Sequence, residues 1–554
     1  MALFIDLFGY WSVILHGLSL VAQSMALGGA LFLVLLAHPL APRLGDPGPL
    51  LLRDTARITA WSAVALILCE AAGIALQTAL LVGTIDLTVG NVLGADFAIA
   101  GMAKITCAVL LLLALAVRHA RVQSACLLVI VLAALIAATL TTHAASRLEN
   151  RGVLLILEGL HQLGAAIWIG GIPCFVLALA RVHDGGGWRR VGARFSAMSI
   201  AGVGCILASG IAMSLLYIGS WQGFYGTPYG AMVGAKIALF LLLLALGAGN
   251  FLLVERLRRD PAVPVIRLKR FAEVEIGIGF AVFFAAASLT SAPPAVDFVG
   301  GEHGQAPASW NVIATHYAPR WPILASPPVG TLALPALHRE LAAEAVEEGT
   351  PAPEVFPPGA GQLPPRNRAD IAWSEVNHHW AGIIVLAIGL LALANQAGLR
   401  WARHWPLLFV GLAGFLFLRA DPEIWPLGYE GLLDSLRDSE VFQHRLVVLL
   451  VLLLAWLEWR VRAGRLQGRP AALAFPVLSL LGGMLLLTHN HAGGSAQEQL
   501  VIELAHIPVA LLAIVAAGAR WLELRLAPPA DRVAGWIWPL SFTLIALVLL
   551  MYRE

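Results

Sequence analysis

The stretch HGLSLVAQSMALGG at residues 16–29 returns as EGLHQLGAAIWIGG at 158–171. RITAWSAVALILCEAAGIAL (57–76) returns as RFSAMSIAGVGCILASGIAM (194–213), and GMAKITCAVLLLLAL (101–115) as VGAKIALFLLLLALG (233–247). The spacing between matches stays near-constant, which chance similarity among apolar segments does not ensure. The first eight apolar segments therefore read as a duplicated four-helix unit. An even number of spans per copy makes the repeats parallel.

Working outward, the whole chain has the same character. It is 59% hydrophobic and 13% charged over 554 residues, the composition of a polytopic membrane protein. Runs of near-span length predict about fourteen transmembrane helices. They fall near 10–38, 57–84, 98–117, 122–141, 153–181, 195–219, 230–253, 271–290, 373–396, 405–418, 440–459, 473–488, 500–520 and 534–552. The expected fold is all-α, with an eight-helix membrane domain over 1–295, its repeats dividing at about residue 150. A connector over 296–372 and a six-helix, histidine-bearing membrane domain over 373–554 follow. The connector holds 12 of the chain's 31 prolines and also His303, His316 and His338. Such composition suggests a loose external segment lying over the bundle.

Arginines sort the loops into two sets. Arg43/Arg53/Arg57, Arg118/Arg121, Arg189/Arg190/Arg194, Arg256 to Arg270, Arg400/Arg403, Arg460 to Arg469 and Arg520 to Arg532 lie in alternate loops. The intervening loops are acidic, aromatic or polar, with Arg147 and Arg151 a mild exception. The basic set is expected in the cytoplasm, which places both termini outside. The N-terminus MALFIDLFGYW lacks a basic leader, so the first segment is expected to remain as a span.

On this count six of the seven histidines of the last third share the outer face: His378, His379, His444, His489, His491 and His506. Only His404 falls opposite. Imidazole at membrane depth is costly unless it holds a metal or cofactor or carries protons. His489 and His491 are one residue apart where a helix ends, and Met484, about a turn deeper, offers a thioether. Copper, zinc and haem iron all accept imidazole nitrogen. The alternative is that polar aromatics simply sit at the interface.

A second constellation lies in the repeats: His16, Glu158 and His161, with His143 just before the fifth span. His16 aligns with Glu158, and Glu158 and His161 share a helix face. Lys104 and Lys236 occupy equivalent repeat positions, each a snorkelling residue or a partner for Glu70 or Glu158. Glu273 and Glu275 read as compensating the basic run RLKRF. The five cysteines lie inside apolar segments without a CxxC pair, so neither disulfides nor a thiolate metal site is expected. No phosphate-binding loop, dinucleotide fingerprint, nucleophile elbow, nucleic-acid module or CxxCH haem motif is present. The chain reads as a non-catalytic protein that does not bind nucleic acid.

The segments EGLHQLGAAIWIGG (158–171), RFSAMS (194–199), YGAMVGAK (229–236), NFLLVERLRR (250–259) and RFAEVEIGIG (270–279) resemble the CopD family of bacterial inner-membrane copper proteins. NHHWAG (377–382), DPEIWPLG (421–428), FQHRL (442–446), LTHNH (487–491) and ELAHIP (503–508) look like the extension of longer members. The resemblance implies handling of copper, as Cu(I) or Cu(II), in the inner membrane, beside a small periplasmic copper chaperone. It transfers no ligand set, so the candidate ligands remain those read from the residues. A different chemistry also fits: a membrane cytochrome holding haem b between His444 and His506. A copper sensor or assembly factor is a third.

Overall fold

The computed structural model describes residues 7–85, 87–260, 262–297, 306–328, 368–422, 424–428, 431–488 and 496–553. Fourteen of its helices are long and apolar enough to cross a membrane. They are α1 (Phe8–Leu44), α2 (Pro47–Ile85), α3 (Asp96–Leu115), α4 (Ala120–Thr139), α5 (Arg151–Arg181), α6 (Gly185–Tyr217) and α7 (Pro228–Arg259). The series continues with α8 (Ile266–Leu289), α9 (Arg368–Gln396), α10 (Arg400–Arg419), α11 (Ser439–Arg462), α12 (Pro470–Leu487), α13 (Gln497–Arg525) and α14 (Ala530–Leu550). Each corresponds to one of the fourteen apolar runs of the sequence, and the protein is an all-α, multi-pass membrane protein. Large apolar side chains such as Trp61, Leu68, Leu113, Val129 and Leu215 stand exposed along these helices. That is the expected outer surface when the solvent is lipid.

The chain forms two compact units. One, the repeat unit, comprises Trp11–Ser220 and Lys236–Val296. The other, the histidine unit, comprises Met1–Tyr10, Trp221–Ala235 and Asp297–Glu554. The stretch Trp221–Ala235 thus groups with the C-terminal helices, although in sequence it lies within the eight-span half. Its short helix Trp221–Gly226 is tied to residues near 307: Ala308 N donates to Gly226 O (2.8 Å) and Gln222 Nε2 to Pro307 O (3.1 Å).

In the repeat unit, α1 and α5, the first helices of the two copies, cross at equivalent glycines. A Cβ on Gly28 would run into the Ala166 carbonyl and the Gly170 backbone, and one on Gly170 into the Ser24 carbonyl. Small residues let two backbones approach, which favours helix association in lipid. Ser24 Oγ adds a hydrogen bond to Ala165 O at 3.4 Å.

In the histidine unit the six spans pack as a closed ring in the order α9, α14, α13, α12, α11, α10 and back to α9. Trp405, Phe409, Phe475, Trp538 and Phe542 fill the ring toward its arginine-bearing end. Below them a buried ionic network joins four of the spans. Glu458 Oε1, on a residue only 1% exposed, accepts from Arg462 Nε (2.6 Å) and Arg520 Nη2 (3.3 Å). Glu523 Oε2 accepts from Arg520 Nη1 (2.6 Å) and Trp538 Nε1 (2.7 Å), and its Oε1 from Gln396 Nε2 (3.1 Å). Arg462 also donates to Asn395 Oδ1 at 2.8 Å and lies over the Trp405 and Trp538 rings. This half of the ring is closed by aromatic and ionic packing.

The other end carries the histidines. There residues 306–328 of the connector are pinned across the helix ends. Tyr317 Oη donates to Leu504 O (2.7 Å), Arg320 pairs with Glu375 (2.8 Å), and Arg419 Nη2 donates to Ser326 Oγ (2.8 Å). His316 and Ile313 are buried. The expectation of a loose connector therefore gives way over 306–328, where buried side chains and directed hydrogen bonds supply what the proline-rich composition does not. His303 and His338 lie outside the described residues.

Candidate functional site

The packing of α9, α13 and α14 brings two of the six C-terminal histidines together. His378 lies on α9 and His506 on α13, and Tyr552 follows the end of α14. The His378 and Tyr552 rings stack at 3.7 Å, nearly parallel, while His506 meets His378 edge-on at 5.8 Å between ring centres. Both imidazoles are oriented by their own helices. His378 Nδ1 donates to Ser374 O at 2.9 Å, and His506 Nδ1 to Ile502 O at 2.8 Å, each four residues back. A ring that donates through Nδ1 carries its lone pair on Nε2. Metal–imidazole bonds of about 2 Å put the centres of two rings bound to one ion up to roughly 6 Å apart. The observed separation lies within that reach.

Glu503 stands one turn before His506 on α13. Its Oε2 is buried with no hydrogen-bond partner among the described residues. A carboxyl left so is stable either protonated or beside a cation.

The other C-terminal candidates have different situations. His379 is fully buried, and both of its nitrogens meet backbone: Nδ1 the Ile323 oxygen at 2.8 Å, and Nε2 the Tyr552 oxygen at 3.1 Å. It ties the connector and the C-terminus to α9. His444 opens α11 and donates through Nδ1 to Asp421 Oδ1 at 2.8 Å, with Asp421 Oδ2 facing Arg445 at 3.4 Å. A carboxylate behind an imidazole fixes its tautomer in the way that outer partners of metal-bound histidines do. Met484 lies in the last turn of α12, partly buried. His489 and His491 lie outside the described residues. Among the described residues no group of three or more His, Cys, Asp or Glu is placed to hold a metal ion.

The repeat unit holds the second constellation, and each copy contributes histidine, glutamate and lysine. In the first copy Lys104 Nζ, buried on α3, meets Glu70 Oε1 of α2 at 2.6 Å, and Ser19 Oγ also donates to that oxygen. His16 lies within electrostatic reach of Lys104, Glu70 and His143, the last on the short helix His143–Ser146. In the second copy Lys236 lies within reach of Glu158 and His161. His161 Nδ1 bonds Ser209 Oγ at 3.1 Å, and Ser209 in turn donates to Cys205 O at 2.6 Å. The copies are joined by two amides: Gln23 Nε2 donates to Gln162 Oε1 (3.1 Å), and Gln162 Nε2 to Glu158 Oε1 (3.2 Å). The notable addition to the residues read from sequence is this glutamine pair, which the alignment does not make equivalent. Tyr552, three positions from the end of the chain, was also absent from that reading.

Glu273 and Glu275 separate. Glu273 pairs with Arg270, as the basic run suggests. Glu275 turns inward and accepts instead from Asn250, a helix-facing position that overrides its proximity to the arginines.

Over residues 189–289 the chain matches the CopD family model, described as Copper resistance protein D. That region spans α6 to α8, mostly in the repeat unit, inside the segment whose motifs carry the resemblance. The chain is also 35% identical over 167 residues to the "Copper transport protein CutJ" of Bacillus subtilis (strain 168). The aligned part is 29% of this chain and 29% of that relative's length. No solved structure matches.

Proposed function

We propose that the protein is a copper-binding inner-membrane protein that takes copper at the periplasmic side and moves or relays it through the membrane. The observation that carries this is the His378–Tyr552–His506 arrangement, with both rings turned by their own backbones so that Nε2 holds the lone pair. His444 with Asp421, His489, His491 and Met484 are the further candidate donors at that end. The aromatic and ionic packing in the opposite half of the ring gives the histidine unit the character of a receptor. The repeat unit, which carries the CopD match and the membrane-embedded His16, His143, Glu158 and His161, is the better candidate for the path. The similarity to a copper transport protein supports copper over other imidazole-binding metals. In this reading the basic loops face the cytoplasm, both termini are periplasmic, and a periplasmic copper chaperone is the natural donor or acceptor.

The test is copper affinity of purified single variants. His378→Ala and His506→Ala should each weaken binding at least about tenfold, since even outer partners of metal ligands are worth that much. Binding should also weaken as pH falls through about 6, because imidazole must be neutral to coordinate. Unchanged affinity and stoichiometry in both variants would remove the histidine unit from the copper site.

A further inference from the structure

In both repeats a buried lysine lies near a glutamate. Lys104 and Lys236 align with each other, and each has a glutamate near it that the alignment does not make equivalent: Lys104 pairs with Glu70 of α2 at 2.6 Å, and Lys236 lies within electrostatic reach of Glu158 of α5. The lysine is thus the fixed feature of the two copies, and the carboxylate reaches it by two routes. Lys104 is 5% exposed, so it does not snorkel to water along the outside of α3. It lies instead between the Glu70 carboxylate and a small cavity walled by Gln23, Leu66, Cys107, Ala108 and Ala134. Gln23 is the residue that connects through Gln162 to Glu158 in the other copy.

We propose that Lys104 and Lys236 are tethered counter-cations that keep Glu70 and Glu158 neutralised in the empty protein and set how strongly those carboxylates hold a passing metal ion. The inference rests on the reading that copper crosses the repeat unit. An unpaired carboxylate inside the membrane is expensive, and the ammonium removes that cost. An arriving cation competes with the ammonium for the same oxygens. The lysine can then shift toward the cavity and the Gln23 amide, and it remains close enough to repel the ion. A permeation site must bind well enough to be entered and weakly enough to be left. A fixed positive charge beside the carboxylate provides the second condition.

The experiment compares wild type, Lys104→Met, Lys104→Arg and the double variant Glu70→Gln/Lys104→Met, all purified full-length. Cu(I) affinity is measured against a competing chelator, and flux of radioactive copper is measured in proteoliposomes. Removing a charge within a few ångströms of a bound ion should change affinity by at least roughly tenfold. Lys104→Met should therefore bind Cu(I) more tightly and move it more slowly. Lys104→Arg should stay near wild type, and the double variant should lose the gain in affinity. The double variant also guards against misfolding, since it buries no lone charge. Wild type that moves copper while Lys104→Met matches it in both measurements overturns the inference alone. So does a Lys104→Met variant that is weaker in binding when the double variant is not restored. Wild type that neither binds nor moves copper overturns the proposed function and the inference with it.

Discussion

Glu458→Ala tests the ionic network of the histidine unit. The Glu458 carboxylate is 1% exposed and accepts from two guanidiniums, Arg462 at 2.6 Å and Arg520 at 3.3 Å. Deleting one member of a buried ionic set costs about 3–5 kcal/mol, because the opposite charges stay behind without compensation. Arg520 keeps Glu523 and Arg462 keeps Asn395, so the lower figure of about 3 kcal/mol applies. For a unit of this size each kcal/mol moves the melting temperature by about 2–4 °C, which gives a drop of about 6–12 °C. The chain carries its own reporters for the assay. All five cysteines lie in the repeat unit, and most of the seventeen tryptophans lie in the histidine unit. Thermal unfolding in detergent, followed by tryptophan emission and by a thiol-reactive dye, separates the two. The tryptophan transition should fall by the stated amount while the thiol transition holds. Replacing the set together, Glu458→Leu with Arg462→Met, Arg520→Met and Glu523→Gln, should recover most of the loss, since apolar packing often substitutes for a buried ionic group. A shift below about 2 °C in the tryptophan transition, or equal shifts in both, would refute the role assigned to the network.

Three further outcomes are expected. His379→Ala should lower stability of the histidine unit and loosen residues 306–328 with little change in copper affinity, because both its nitrogens meet backbone; proteolysis of the connector alongside copper titration reads both. Gly170→Leu should cost the repeat unit its α1–α5 crossing and lower the thiol-reported melting temperature more than Gly152→Leu, where a Cβ meets nothing; the two melting curves decide it. Reporter fusions at Gly45, Gly187 and Arg465 should report the cytoplasm, and those at Gly349 and Gly494 the periplasm. A cytoplasmic signal at Gly494 would dissolve the single-sided histidine arrangement.

The spans were legible because a membrane helix writes its length directly into an apolar run, and all fourteen runs are helices. The repeat was legible for the same reason: Lys104 and Lys236 keep their place in matching text. Long-range pairings left no such trace. Whether Lys104 snorkels or pairs with Glu70 or Glu158 depends on which helices pack. Tyr552 stacked on His378, or Glu458 against an arginine sixty-two residues away, is fixed by ring order, which hydropathy does not encode. His379 and His378 are neighbours in sequence, yet successive positions on a helix point about 100° apart. One therefore meets the connector and the C-terminus while the other meets His506.

Metal content and visible absorption of the purified full-length protein, beside His378→Ala/His506→Ala, test the central claim most directly. The expected result is bound copper in the wild type, less in the double variant, and a spectrum nearly colourless or with weak copper bands. Stoichiometric iron with a strong Soret band, lost on replacing His444 or His506, would contradict it and make the histidine unit a cytochrome.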